Sequence, residues 1–471
     1  MGLIVDIPWA ATASTAFAYF VGLVFYRLYL HPLAKFPGPK LAAITRYYEG
    51  YYDVILNGQY TFKIAELHRQ YGPIVRISPY ELHVNDPTYY EKLYRQEGKW
   101  NKYDWSYDAF GAPMSSICSV DHELHKHRRV PMNAFFSKAS VASRQDMIHG
   151  FANKLCDRIA QFEGSTVNIT AAVSAFTRDV AMQFVLSKDY RNLDDPNFGV
   201  EMTNVLPRPM ARAADEIASV GLDRIEKAGD AGTKAFFGLL KDCLQTTKAI
   251  VAAQASKVEG GAGESPKTMV HAILESNLPS TEKTVERIND EVGTITGAAF
   301  ETAAQSIRTI LYHLYSDPVT LARLRDELSQ AAEKHGNGVS LPLSDLEQLP
   351  FLTGCQRIPA GTPVGMTVLL MYMDKTLYPE PDAFNPSRWA GSGTRSDKTF
   401  APFSRGTRSC LGMYLAWAEI YIVIAALVQR FEFKLVGAGL KDVKCASDQF
   451  IVGTADTTGI KAIVKNYVCE S

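Results

Sequence analysis

Residues 403–412 read FSRGTRSCLG, and MYLAWAEIYIVIAALVQRFEF follows without a break. Glycines stand at −4 and +2 from Cys410, and Arg408 stands at −2. A thiolate just ahead of a helix is stabilised by free backbone N–H groups and by the positive end of the helix dipole. Gly406 permits a tight loop, and Gly412 lets a flat ligand come close to the backbone. The helix predicted beyond it carries only Glu419 as a charge before Gln429, the pattern of a helix buried on nearly all sides. The plain alternative is a buried structural cysteine, as most free cysteines are. Five fixed positions around one sulfur speak against it.

Working outward, the 471 residues are 46% hydrophobic and 21% charged, a globular composition. Lys plus Arg number 49 and Asp plus Glu 50, a net charge of −1, which excludes a nucleic-acid binder that relies on a basic surface. The 7 cysteines are odd in number and scattered, so a reducing compartment fits better than a disulfide framework.

Residues 7–26, IPWAATASTAFAYFVGLVFY, carry no charge. As a helix they span about 30 Å, the thickness of a bilayer core. Trp9 lies near one end, with Tyr26 and Tyr29 near the other, as interfacial anchors do. A core helix and a signal peptide are the alternatives, but Asp6 is the only charge before the run, where a signal peptide carries basic residues. Arg27, His31, Lys35 and Lys40 follow and place the rest of the chain on the cytoplasmic side. No second run of about 18 apolar residues is evident, which predicts a single pass. The expected organisation is a lumenal 1–6, an anchor 7–26, a basic and proline-rich hinge 27–40 around Phe36-Pro37-Gly38-Pro39, and one domain over 41–471. Residues 72–86 alternate as a β-hairpin. Helical spacing marks 120–136, 143–161, 170–186, 234–257, 284–315, 318–335 and 411–430. The fold class is therefore mainly α with a small β portion.

The cysteine loop resembles the heme-thiolate loop of the cytochromes P-450, Phe-x-x-Gly-x-Arg-x-Cys-x-Gly, with Phe403, Gly406, Arg408, Cys410 and Gly412 at every fixed position. The resemblance implies the cytochrome P-450 fold, heme b (iron protoporphyrin IX) with Cys410 as axial iron ligand, and Arg408 on a heme propionate. A thiolate ligand favours O–O cleavage. Ala298-Ala299-Phe300-Glu301-Thr302 is similar to the family's oxygen-activating segment, with Ala299 in place of a glycine. An acid–hydroxyl pair there could relay protons, while a tightly packed core helix is the other reading. His125 and Arg129 resemble the propionate-binding Trp-x-x-x-Arg, with His125 at the Trp position. A solvated basic face is the alternative, and the spacing of His122, His125 and His127 lacks the i, i+4 pair of the zinc protease motif.

By the same resemblance the chain is a monooxygenase acting on an apolar small molecule, a terpenoid or other fungal secondary metabolite. A reductase would bring electrons from NADPH, since no Gly-x-Gly-x-x-Gly fingerprint is evident. The anchor implies the endoplasmic reticulum membrane with a cytosolic catalytic domain. A heme-thiolate isomerase or dehydratase, or a non-catalytic remnant, are the rival readings. Beyond Ala299 and His125, the chain departs from the family in one more serious way. Residues 378–389, YPEPDAFNPSRW, resemble the segment whose arginine, here Arg388, joins a Glu-x-x-Arg motif, yet GCQR at 354–357 runs straight into IPAGTPV. A segment of about forty residues, by comparison with the family, is missing near 356–357. Loss of a partner in a buried ionic network costs ~3–5 kcal/mol, so the chain as written is expected to take up heme poorly.

Overall fold

In a computed structural model of the chain, residues 9–108, 111–205, 230–256, 268–335, 340–349, 351–352, 363–364, 366–388, 400–449 and 451–467 are described. The N-terminal helix α1, Trp9–Phe25, runs on through a wider turn, Tyr26–Leu30, and buries none of its residues. The helical run therefore reaches four residues past the expected boundary at 26. Its end is pinned to the domain: Arg27 donates to Ile44 O, and Arg76 Nη1 donates to Arg27 O at 2.8 Å.

Two other helices, Ile169–Leu186 and Met413–Arg430, are also long and apolar enough to cross a membrane, which corrects the expectation that no second such run exists. They are 89% and 61% buried inside the protein, against 0% for Trp9–Leu30. Burial by other protein elements meets the same apolar demand that lipid would. They are core helices.

The helical spacing elsewhere gives α2 Tyr60–Tyr71, α3 His122–Phe135, α4 Gln145–Ala160, α5 Ile169–Leu186, α6 Ala231–Ala255, α7 Val285–Ser316, α8 Pro318–Glu333 and α9 Met413–Arg430. Short polar residues cap them and accept otherwise orphaned N–H groups: Asp121 takes Leu124 N–H, Asn168 takes Ala171 N–H and Thr284 takes Arg287 N–H. Asp317 caps α8, with Pro318 at its first position, where a missing N–H costs nothing. The centre of the molecule is α5 against the 32-residue α7, with α9 packed between α7 and α4. Thr177 Oγ1 of α5 donates to Phe300 O of α7 at 2.7 Å and locks that pair in register.

The strands are short and lie at the edges of this helical body. The expected hairpin is β1 Ile74–Arg76 against β2 Leu82–Val84, antiparallel with Ile74 opposite Val84. Strand β3, Thr166–Asn168, and β6, Phe431–Val436, flank β9, Lys461–Asn466, in a three-stranded sheet. Pro363–Val364 (β4) pairs with Met366–Thr367 (β5), and Cys445–Gln449 (β7) with Ile451–Thr454 (β8). The junction at 356–357 lies outside the described residues.

Candidate active site

The cysteine loop is a 3-10 turn, Gly406–Arg408, that leads through Gly412 into α9. Gly406 has φ +74°, and a Cβ there would sit 2.7 Å from Tyr94 O and 2.9 Å from Arg95 O. Only glycine lets the loop lie this close to the 94–95 backbone. Cys410 N–H donates to Phe403 O at 2.9 Å and closes the loop, while the Phe403 ring packs edge-on against Trp417 of α9, 5.3 Å between centroids. Gly412 has open space where a Cβ would stand.

Cys410 is an exposed residue by surface area, although it lies deep within the protein mass. Burial pushes the thiol up, against the Gly412 N–H and the Arg129 guanidinium, which pull it down. The Gly412 N–H and Arg129 act in the direction expected for a thiolate at a helix start. A metal ligated by the sulfur would remove the proton outright.

Around the loop, positive groups converge. Arg408 donates to Ser119 O at 2.8 Å and Val120 O at 3.2 Å, and burial together with Arg129 lowers it to about 10. Arg129 donates to Ser409 O and to Asn133 Oδ1. His125 is buried, and burial followed by the fields of Arg408 and Arg129 lowers it to about 3, so it is neutral. Lys102 joins them, lowered to about 7 by burial and by Arg408. Among the described residues none of these four is ion-paired to a carboxylate, and His125 Nδ1 and Arg408 Nε are buried with no partner. A thiol beside unneutralised cations and unpartnered nitrogens fits an iron porphyrin with two carboxylates. The basic-face alternative holds only for Lys126 and His127 of α3, which are exposed.

On α7, Thr302 is exposed midway along a mostly buried helix, with Ala298 one turn before it on the same side. Thr302 Oγ1 donates to Ala298 O at 2.9 Å. Glu301 is turned away from Thr302, 2% exposed, and accepts from Arg308 Nη1 at 3.2 Å. Its second oxygen, Oε1, is buried without a partner. Its charge also reaches Arg178 of α5. Adjacent residues on a helix point about 100° apart, so the acid and the hydroxyl serve different faces. Arg388 donates to Pro379 O at 2.6 Å and Glu380 O at 3.0 Å, the carbonyls of its own turn.

Sequence reasoning missed Lys102, Arg178 and Arg308. Arg308 stood two turns beyond Glu301 on the same helix, a spacing that could have disclosed it. Lys102 and Arg178 come from distant segments and carried no signal.

The Cytochrome P-450 family model matches residues 52–357 and 354–456, two stretches that meet at the GCQR–IPAGTPV junction. Cytochrome P-450 monooxygenase sdnE of Sordaria araneosa is 33% identical over 509 aligned positions, which cover 96% of this chain and 97% of the relative. Tryptophan 6-hydroxylase fscE of Fusarium equiseti is 34% identical over 488 positions, with 94% of each chain covered. Conidiogenone synthase PchP450 of Penicillium rubens is 34% identical, with 89% of this chain and 91% of the relative covered. The first two alignments are longer than the 471 residues of this chain, so those relatives carry residues that it lacks. A crystal structure of a cytochrome P-450, CYP102L1, superposes with a TM-score of 0.65 at 17% identity, over 86% of this chain and 94% of that one.

Proposed function

The chain belongs to the cytochrome P-450 family, and from that premise we propose that it hydroxylates an apolar small molecule of fungal secondary metabolism, a terpenoid or a similar scaffold. It is a heme monooxygenase, an oxidoreductase whose electrons come from NADPH through a reductase. The observation that carries the site assignment is Cys410, deep yet exposed, beside Arg408, Arg129, Lys102 and His125.

Cys410 would hold the iron, with Phe403, Gly406 and Gly412 fixing the loop. Arg408, Arg129 and Lys102 would take the heme carboxylates, and His125 Nδ1, neutral and unpartnered, would present an N–H to one of them. Bound heme supplies the oxygen chemistry, in which one atom of O₂ enters the substrate and the other leaves as water. Thr302 holds a hydroxyl proton on the open side of α7. Glu301, paired with Arg308, is the carboxyl group that would resupply it from the α5 side, away from the face that carries Thr302. The name of the tryptophan 6-hydroxylase among the relatives supports a second substrate reading, an aromatic amino acid.

The exposed α1 supports a single-pass anchor in the endoplasmic reticulum membrane with the domain on the cytosolic side. Tyr47, Tyr51, Val54 and Ile55, a short way along the chain from its pinned end, are also exposed apolar or aromatic side chains. The break of the family match at 354–357 supports a lost internal segment.

A reduced-CO difference spectrum tests the central assignment. The chain should show a band at about 450 nm, the sign of a thiolate ligand, and Cys410→Ser should abolish it. A heme-loaded protein that keeps the band after the substitution has another ligand.

A further inference from the structure

Residues 112–121 lie between charges of opposite sign. On one side are two carboxylates of α7. Glu291, 1% exposed, accepts Ser116 N–H on Oε2 at 2.9 Å and Ser116 O–H on Oε1 at 2.7 Å. Asp290 accepts Met114 N–H at 2.9 Å. On the other side are the cations next to Cys410. Lys102 Nζ donates to Ile117 O at 2.8 Å, and Arg408 donates to Ser119 O at 2.8 Å and Val120 O at 3.2 Å. The loop thus turns two of its amide N–H groups, those of Met114 and Ser116, toward the acids, and three of its carbonyls, those of Ile117, Ser119 and Val120, toward the cations.

A buried carboxylate is expensive unless it is paired and hydrogen-bonded. Glu291 has Arg287 for its charge, Nη2 at 3.0 Å and 0% exposed, one turn back on the same helix. That pairing balances the charge, but the Arg287 nitrogens are buried without a hydrogen-bond partner. The hydrogen bonds to both oxygens of Glu291 come from the loop, and its field extends to Arg129. Neither the cysteine motif nor the Glu301–Thr302 pair accounts for this arrangement.

We propose that Glu291 is a positioning residue for the cation cluster: through the peptide groups of 114–120 it fixes where Arg408 and Lys102 present their N–H groups. The proposal rests on the reading that these cations hold the heme carboxylates. The parent's band at about 450 nm tests that reading on its own, before any variant is made.

Two substitutions separate position from charge. Glu291→Gln removes the charge and keeps an amide able to pair with Ser116, whereas Glu291→Ala removes the bonds as well. The measurements, on full-length holoprotein, are the rate of heme transfer to apomyoglobin and the heme midpoint potential. Glu291→Ala should speed heme loss about tenfold, the lower end for loss of a group that orients a ligand, with Glu291→Gln much closer to the parent. The potential of Glu291→Ala should fall, because loosely held cations neutralise the carboxylates less. Deleting a negative charge that acts only through space would instead raise it in both variants, and that result overturns the proposal. Combined with Arg408→Lys, Glu291→Ala should add little to the rate of heme loss, since both act through one contact. Effects that multiply fully would make Glu291 merely structural. Should Glu291→Ala leave Arg287 too costly to bury, Arg287→Met beside it removes both charges together and must give the same lower potential. An unchanged potential in that pair variant also overturns the proposal.

Discussion

Thr302 and Glu301 are neighbours in the chain and yet face different surroundings. Thr302 is exposed on the side of α7 that also carries Ala298, and its hydroxyl is parked on Ala298 O at 2.9 Å. A hydroxyl bonded only to the carbonyl one turn back is free to rotate at little cost, so it can both accept and hand on a proton. Glu301 is fixed by Arg308 and by burial. Thr302→Ala should leave heme content unchanged while raising the peroxide released per NADPH consumed, because the proton-transfer step it serves loses a group of a kind that contributes about 10²–10⁴-fold in rate. Peroxide release equal to the parent's in an active preparation would return this stretch to simple packing. A Glu301 substitution is a poorer probe, because it leaves Arg308 with a buried, uncompensated charge.

At the scale of elements, a chain of ring nitrogens ties the β1–β2 hairpin to β5. His68 Nδ1 lies 2.8 Å from Gly72 O, His68 Nε2 lies 2.7 Å from His83 Nδ1, and Thr367 N–H donates to His83 Nε2 at 3.0 Å. Gly72 O can only accept, so His68 carries its proton on Nδ1, and His83 must donate to His68 Nε2. Every bond is then made by two neutral rings. Burial lowers both histidines, with His83 brought to about 3. A histidine whose folded value is depressed contributes stability that is complete above its unfolded value and is lost as pH falls. The window runs from about 6.5 down to about 3. Glu49 and Asp53, raised by burial to about 7 and about 6, act in the opposite sense over the same range. The comparison is therefore made between the parent and His83→Gln. The parent should be the more stable by several degrees in Tm at pH 7.5, and the gap should close by pH 4.5. A constant gap would assign the histidines to packing alone.

At the scale of the molecule, three apolar helices among the described residues meet the same length and composition criterion, and of these only α1 stays outside the protein. Removing residues 1–35 should shift the protein from the carbonate-resistant membrane pellet to the soluble or peripheral fraction, which immunoblotting of the fractions checks. Full retention in the pellet would require another insertion element. The break at 354–357 is the other large-scale feature. Inserting at 356–357 a segment of about forty residues, as the family resemblance implies, should raise the heme bound per chain, read from the reduced pyridine hemochrome, by at least about tenfold, since about 1.4 kcal/mol corresponds to tenfold and the expected deficit is ~3–5 kcal/mol. Full heme loading of the 471-residue chain would show that the fold tolerates the loss.

What the sequence determined by itself was local. The spacing around Cys410, the apolar runs and the caps are set by neighbours a few residues apart, through backbone conformation and helix or strand period. Gly406 illustrates it: its position predicted a tight loop, and its φ of +74° bears that out. The absence of a Glu-x-x-Arg motif between 352 and 358 was also legible, because a motif expected at a fixed place in the chain either occurs or does not. Tertiary structure alone decided the rest. Whether Ile169–Leu186 meets lipid or protein depends on what surrounds it, and α5 is enclosed by other helices. Lys102 and Arg408 are 306 residues apart in the chain, and Glu291 lies between them in sequence but on the far side of a loop in space. Electrostatic partners of this kind are chosen by proximity in three dimensions, where a buried charge must find an opposite charge or a peptide dipole whatever its place in the chain.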